Sequence, residues 1–446
     1  MRTFRIGGIH PPSNKLSAGQ PIQIIPPPET IVIPLDQHIG APASAVVEKG
    51  DKVKVGTLIG KADGFVSANI HSSVSGTVVK VDSMNDGAGI AHPAVYIQTA
   101  GDEWEPTIDR SDTIIKTCEL TSTEIINKID AAGIVGMGGA SFPTKVKLTP
   151  PPGSKAEVLI VNAVECEPYL TCDHALMLEY AEQIMIGTTI QMKALNVSRA
   201  IIGIENNKPD AIALLTKLSA EYKGIEVTPL QMKYPQGGEK QLIDALLGRQ
   251  VKSGAFPISV GAIFDNVATI YAIYEAVQKN KPLIERIVTV TGKHVAKPSN
   301  FSVRIGTPIS VLIDAAGGLP ENTGKILNGG PMMGKAMINI SAPVTKGCSG
   351  ILLLPETESR RRPMQDCIRC GKCVRVCAMG LEPSLLMSYV EHKMWDEAEK
   401  RHIVDCIECC SCCYLCPANR PIFDYIKLGK TTVMKNMKER KVNATK

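Results

Sequence analysis

From residue 31 to residue 100 the apolar positions fall in short β-branched runs at 31–33, 44–47, 52–55, 76–81 and 94–97, separated by turn residues. Segments 47–56 (VEKGDKVKVG) and 72–79 (SSVSGTVV) alternate valine with polar positions about a glycine. This period of two predicts a small, half-buried β module. Residues 1–30, rich in proline and glycine with PPP at 26–28, predict an extended arm. Farther on the period changes. Helices are expected at 124–132, 175–195, 211–222, 241–247 and 262–277, and strands at 158–161, 200–204, 225–229 and 287–291. This alternation predicts an α/β layer with a largely parallel sheet. Residues 292–358 are β-leaning, with glycine pairs at 317–318 and 329–330, and predict a small β-grasp-like module. Arg360-Arg361-Arg362-Pro363 marks a linker into a cysteine-rich region, followed from Lys427 by a basic tail expected to be a solvated helix end. The expected division is 1–112, 113–291, 292–358 and 359–446.

Composition narrows the function classes. The chain has 446 residues, 44% apolar and 21% charged, so it should fold in several domains. A net charge of +5 and only 4% aromatic residues argue against a nucleic-acid partner. The start, MRTFRIGGIHPPSNK, lacks the apolar core of a signal peptide. The most apolar stretch, 258–277, is interrupted by Asp265, Asn266 and Glu275 and is expected to be a buried helix rather than a membrane span. A cytosolic protein able to dock on a membrane protein is the expectation. The β module resembles the barrel-sandwich fold of biotinyl and lipoyl domains, without a modifiable lysine in a matching context, which implies a structural or docking use.

Ten of the 14 cysteines lie between Cys367 and Cys416. In a reducing compartment such clustering indicates metal rather than disulfides. Two runs, Cys367-x2-Cys370-x2-Cys373-x3-Cys377 and Cys406-x2-Cys409-x2-Cys412-x3-Cys416, have the bacterial ferredoxin spacing. Two-residue gaps let three thiolates wrap one cube, while the fourth cysteine faces the other. Cys367, Cys370, Cys373 and Cys416 are therefore expected to hold one [4Fe-4S] cluster, and Cys406, Cys409, Cys412 and Cys377 the second. Zinc sites favour CxxC pairs closed across a longer gap, which two complete runs fit poorly. Cys410 and Cys413 fall off the register and are expected to be spectators. Ala378 stands where a proline often follows the fourth cysteine; the second run keeps Pro417. Cys118, Cys172 and Cys348 are expected to be small buried hydrophobes, whereas Cys166 sits inside a further motif and stays open. Such clusters relay single electrons, so a donor or acceptor site is expected elsewhere in the chain.

The candidate is a loop, Gly133-Ile-Val-Gly136-Met137-Gly138-Gly139-Ala-Ser141-Phe142-Pro-Thr-Lys145-Val-Lys147, which follows a predicted helix. Ser141 breaks the GxGxxG fingerprint, so a Rossmann site is not indicated. Adjacent glycines let backbone N–H groups approach a phosphate, with Lys145 and Lys147 supplying charge. A glycine-rich structural turn is an equally good reading of the loop alone. No Ser/His/Asp or Cys/His triad stands out.

The loop is followed in order by Val161-Asn162-Ala-Val164-Glu165-Cys-Glu167-Pro, Tyr234-Pro-Gln-Gly237-Gly238-Glu239 and Phe264-Asp265-Asn266-Val267. Together these resemble the flavin- and NADH-binding subunit of respiratory complex I. The resemblance implies that Gly136, Gly138, Gly139, Lys147, Asn162 and Asn266 cradle FMN, that Phe142 stacks on the dinucleotide, and that Glu167 and Glu239 contact NADH. Glu165 belongs to the same cofactor-binding turn. Met137, Ser141, Val164 and Gly238 depart from that family's arginine, glycine, aspartate and glutamate. From the GGIHPP arm to the paired cysteine runs, the whole chain resembles the C subunits of Rnf electron-transport complexes. That implies an SLBB-type β-grasp module and a peripheral subunit on the cytoplasmic face of a membrane. Such a subunit passes electrons between NAD(H), FMN, two [4Fe-4S] clusters and, through partner subunits, ferredoxin, coupled to ion movement. An electron-wire adaptor without flavin and a cobalamin reductase of the propanediol-utilisation type are the alternatives.

Overall fold

The computed structural model describes residues 1–444. The arm has no core of its own; it ends in strand β1 (Ile22–Ile24), which pairs in parallel with residues 300–302. Seven strands follow: β2 (Thr30–Pro34), β3 (Ser44–Ala45), β4 (Lys52–Val53), β5 (Leu58–Lys61), β6 (Ile70–His71), β7 (Gly76–Asn85) and β8 (Ala91–Thr99). They form two antiparallel sheets, β2-β8-β7-β4 and β3-β5-β6. Alternate residues, among them Ile31, Ile33, Ile59, Ile70, Val95 and Ile97, close a single core between the sheets, as a barrel sandwich requires. Gly40 is needed where two loops touch: at φ +107°, a Cβ there would lie 1.9 Å from the Val66 carbonyl oxygen.

Strands β9 (Val158–Asn162), β10 (Ala200–Glu205), β11 (Ile225–Leu230) and β12 (Ala262–Asn266) make a parallel sheet in the order β11-β10-β9-β12. Neighbouring residues of each strand go to opposite faces. Leu159, Val161 and Ile202 pack under the helices Ser122–Ala131, Cys172–Glu179, Ala181–Leu195 and Val267–Lys279. Val158, Ile160 and Ile201 pack under the helix Glu239–Leu247 and under Phe4 of the arm. Two expected helices change shape. The stretch 175–195 is split at Tyr180, which leaves helical geometry at ψ 31°. The stretch 262–277 is not one helix: Ala262–Asn266 is the edge strand β12, and the helix starts only at Val267. Ile263 and Phe264 suit a strand, and Asn266 caps the helix by accepting the Ala268 N–H.

β13 (Glu285–Thr291), β14 (Ser299–Arg304), β15 (Thr323–Asn328), β16 (Lys335–Met337) and β17 (Gly350–Pro355) complete a six-stranded mixed sheet, β1-β14-β13-β17-β15-β16. The strand expected at 287–291 thus belongs to this sheet and not to the parallel one. Lys346, fully buried in the loop before β17, donates to the carbonyls of Asn69 and Gly133, both at 2.7 Å. One amine thereby joins the barrel sandwich, the glycine loop and the last sheet.

Short helices then pack with the long helix Ile422–Ala444 around Leu386, Met387, Ile403 and Ile426. Among the described residues no helix is long and apolar enough to cross a membrane.

Candidate functional site

Strands β9, β10 and β11 step outward on one side, and β12 then pairs on the far side of β9. Open parallel sheets bind ligands outside the carboxyl ends of their strands, where the strand order reverses. Here that point lies between Asn162 and Asn266, the last residues of β9 and β12, which are partners in the register. The Asn162 amide donates to the Gly237 carbonyl at 3.1 Å, and its oxygen accepts the Val164 N–H at 3.2 Å, tying the 162–168 turn to residues 234–239. The glycine loop closes over this edge: Gly136 N–H donates to the Phe142 carbonyl at 2.8 Å, and Met137 N–H to Thr269 Oγ1 at 3.0 Å. Gly138 lies against Asn266, where a Cβ would come within 2.8 Å of the Asn266 Cβ. Beside it, exposed Gly139 would meet nothing within 4 Å.

The cradle wall carries paired charge. Lys147 donates to the Phe264 carbonyl and to Asp265 Oδ1, both at 2.8 Å; Asp265 is fully buried and depends on that cation. Lys145 pairs instead with Asp130 at 2.8 Å. Glu239 begins the helix Glu239–Leu247, and burial pushes its carboxyl above the ordinary range while Lys147 opposes the shift. Phe142 is half-buried where the loop returns. The cradle therefore unites Gly136, Gly138, Gly139, Phe142, Lys147, Asn162, Glu239 and Asn266. Glu167 turns elsewhere: its carboxylate accepts the N–H groups of Met332 and Met333, at 2.6 and 3.0 Å, in the loop between β15 and β16. Met137 and Val164, where the chain departs from the complex I pattern, are core residues at 4% and 0% exposure.

Sequence reasoning missed Asp173. Its carboxylate accepts from the Asn266 amide at 2.8 Å, and its N–H donates to Glu165 Oε1 at 2.8 Å. The available signal was an acid in the first turn of a helix, a few residues beyond the glutamate turn. Bare backbone, a lysine-bearing wall and helix N-termini at one sheet edge fit a phosphorylated flavin in both charge and space.

The two cysteine runs repeat one backbone. Arg369 and Glu408 have φ of 54° and 58°, Gly371 and Cys410 of 68° and 59°, and Gly380 and Asn419 of 68° and 50°, each pair at the same step from its cysteines. Cys410 thus sets the start of the helix Ser411–Tyr414, as Gly371 does for Lys372–Val376. Cys377, Cys406, Cys409, Cys410 and Cys412 line a cavity of about 30 Å³, partly open to solvent, with Leu381, Phe423 and Ile426. Leu381 N–H donates to Cys377 Sγ at 3.3 Å, Glu408 N–H to Cys406 Sγ at 3.4 Å and Arg420 N–H to Cys416 Sγ at 3.4 Å; burial pushes the Cys377 and Cys406 thiols up, and the N–H donors oppose that push. Cys367 and Cys370 are exposed, and the bonds Gln365 N–H to Ala418 O and Asn419 Nδ2 to Pro363 O bring their segment beside Cys416. Cys406, Cys409 and Cys412 of one run meeting Cys377 of the other around this cavity fit an iron–sulfur cube better than a closed zinc site.

The two centres touch. Cys166, Cys409 and Cys410 pack on the cluster formed by Ile9, Tyr234 and Met332. Cys166 Sγ accepts the Gly237 N–H at 3.3 Å, and Gln241 donates to the Ala378 carbonyl at 3.0 Å. Residues 165–167 therefore have the flavin-type crevice on one side and the second cysteine run on the other.

Family models match three stretches of the chain. Residues 129–275 match the Nuo51 FMN-binding domain, 3–102 the RnfC barrel sandwich hybrid domain and 287–336 the SLBB domain. Several C subunits of oxidoreductase complexes are similar along nearly the whole chain. That of the proton-translocating ferredoxin:NAD(+) oxidoreductase complex of Clostridium ljungdahlii is 47% identical over 430 residues, covering 96% of this chain and 93% of that one. That of the Na(+)-translocating ferredoxin:NAD(+) oxidoreductase complex of Acetobacterium woodii is 42% identical, covering 97% of each. That of the ion-translocating oxidoreductase complex of Rhodobacter capsulatus is 41% identical, covering 96% of this chain and 83% of that one. Since these likenesses run from the arm to the paired cysteine runs, the chain belongs to the family of C subunits of ion-translocating ferredoxin:NAD+ oxidoreductase complexes.

Proposed function

We propose that this chain is the NAD(H)-handling peripheral subunit, on the cytoplasmic face, of a membrane complex that exchanges electrons with ferredoxin and moves an ion. Gly136, Gly138, Gly139, Asn162 and Asn266 hold FMN at the switch point, with Lys147 behind it, and Phe142 and Glu239 flank the arriving NADH. A flavin accepts two electrons together and gives them up singly, which joins hydride chemistry to iron–sulfur chemistry. Cys377, Cys406, Cys409 and Cys412 hold the cluster nearer the crevice; Cys367, Cys370, Cys373 and Cys416 hold the outer one, whose exposed cysteines form the outlet to a partner subunit.

The observation that carries this reading is the packing of Cys166 and Tyr234 against Cys409 and Cys410, because tunnelling needs two centres set close together. The test is anaerobic purification with iron, sulfide and flavin analysis, followed by NADH addition under EPR. About eight irons and one FMN, with reduced-cluster signals on NADH addition, are expected. The flavin-free wire reading draws on the burial of Met137 and Val164, which puts apolar side chains where a flavin site of the complex I type has polar ones. Full iron without flavin, and no reduction by NADH, would establish the wire and remove the crevice residues from the assignment.

A further inference from the structure

Beneath the cradle lie two carboxylates that the hydride path does not use. Glu165 Oε1 accepts the Asp173 N–H at 2.8 Å, while Glu165 Oε2 is buried without a hydrogen-bond partner in a side chain only 4% exposed. Glu165 itself sits at φ +47°, a conformation that side-chain-bearing residues adopt at a cost, so the turn holds its carboxyl in place. One oxygen of Glu165, one of Asp173 and the Cys172 sulfur all lie within 4.8 Å of one another. Asn266 connects this group to the cradle, donating to Asp173 on one side and packing under Gly138 on the other. The nearest cation is Lys15 of the arm, 3.8 Å from Glu165 Oε2, but its three N–H groups already go to the carbonyls of Glu165, Glu167 and Leu170.

We propose that Glu165 and Asp173 act as one proton-holding pair, which takes up a proton when a hydride enters the crevice and gives it back when the electrons leave. The step rests on the NADH-to-flavin reading above. A hydride brings two electrons and one proton, a net charge of −1, into a partly desolvated site. One proton from solvent, bound by the pair, cancels that charge. When the two electrons leave singly, the hydride's proton and the pair's proton return to solvent, and charge balances again. Two carboxylates this close do not both hold full charge readily, so a proton offered to the pair is bound readily once the added negative charge arrives. Burial and Glu165 push Asp173 up to about 6, against the pull of Asn266, Arg286 and Lys208. The other groups facing the pair are Cys172, kept neutral by burial, and, farther off, Glu205, itself raised by burial. Asp173 and Glu165 are thus positioning residues for charge, acting through Asn266 and not on the reacting atoms.

The test is reduced-minus-oxidised infrared difference spectroscopy of the full chain loaded with FMN, in H2O and D2O. The expected result is a protonated-carboxyl C=O band on reduction. It should shift in D2O, shift again on 13C-aspartate or 13C-glutamate labelling, and be lost in Asp173→Asn. Labelling of the unsubstituted protein decides the matter even if that variant folds poorly. A loaded protein with no such band, or a band insensitive to both labels, overturns the pair alone. A protein that takes up no FMN overturns the crevice assignment, and the pair with it.

Discussion

Gly138 and Gly139 are neighbours of identical chemistry with different tolerances. A methyl group at 138 collides with Asn266, whereas at 139 it points into open space. Gly138→Ala should weaken FMN binding at least about tenfold, or about 1.4 kcal/mol, while Gly139→Ala stays near wild type. FMN titration of the purified variants measures the difference. Lys346 offers a test of stability. Burial pulls its amine down to about 7, whereas an unfolded lysine keeps its proton until about pH 10.4. Between those values the unfolded chain holds more protons, so the Lys346 contribution to stability rises as pH climbs through that window and is lowest below it. In Lys346→Met that rise should vanish. The variant's melting temperature relative to wild type should therefore fall by a few degrees between about pH 7 and about pH 9.5. Nearby His71, pulled down to about 3 by burial and by Lys346, does not titrate in this range. An unchanged difference would mean that the amine keeps its ordinary affinity for protons. The repeated backbone of the cysteine runs was legible at this scale because their spacing is local. Asp173 and Cys166 were not, because what matters about them is the company they keep in the folded chain.

Elements were legible where their period was clean. The alternating valines gave the barrel sandwich, and the buried runs at 158–161 and 200–204 gave central parallel strands. Misreadings came where apolar residues run on without punctuation. Across 262–277 no glycine or proline separates strand from helix, and the boundary is marked only by Asn266, which is also a cradle residue. Membership of the sheets was hidden too: β13 looks like a further strand of the α/β layer, but its true partners, β14 and β17, both come from beyond it, and the arm joins the same sheet on β14. The arm's own role could not be seen in a stretch of glycine and proline. Gly7 lies against the Cys377 backbone at φ +66°, where a Cβ would come within 2.5 Å of the Cys377 carbonyl carbon. Gly7→Val should loosen the cysteine region from the sheet. Limited proteolysis within 360–372 should become several-fold faster while iron content holds, since every cluster ligand remains. Equal cleavage rates would show that the arm is not what fastens that region.

For the whole molecule, the order of centres makes a directional prediction. Cys370→Ala removes a proposed ligand of the outer cluster and should leave NADH able to reduce the inner one. Cys409→Ala should abolish NADH-driven reduction of both, although dithionite still reduces the outer cluster. EPR of the two anaerobically purified variants distinguishes them, and the opposite pattern would invert the path.

The arm also sets a schedule for folding. Its residues leave the ribosome long before their partners, since Gly8 hydrogen-bonds to Val376 and β1 pairs with β14, segments made far later. At roughly 5–20 residues per second, the arm waits on the order of tens of seconds for its partners. Proline and glycine suit such a wait, since they keep a stranded segment from finding wrong ones. Closure of the molecule therefore belongs to residues made long before their partners, and a fusion that crowds them should slow maturation more than one on a surface loop.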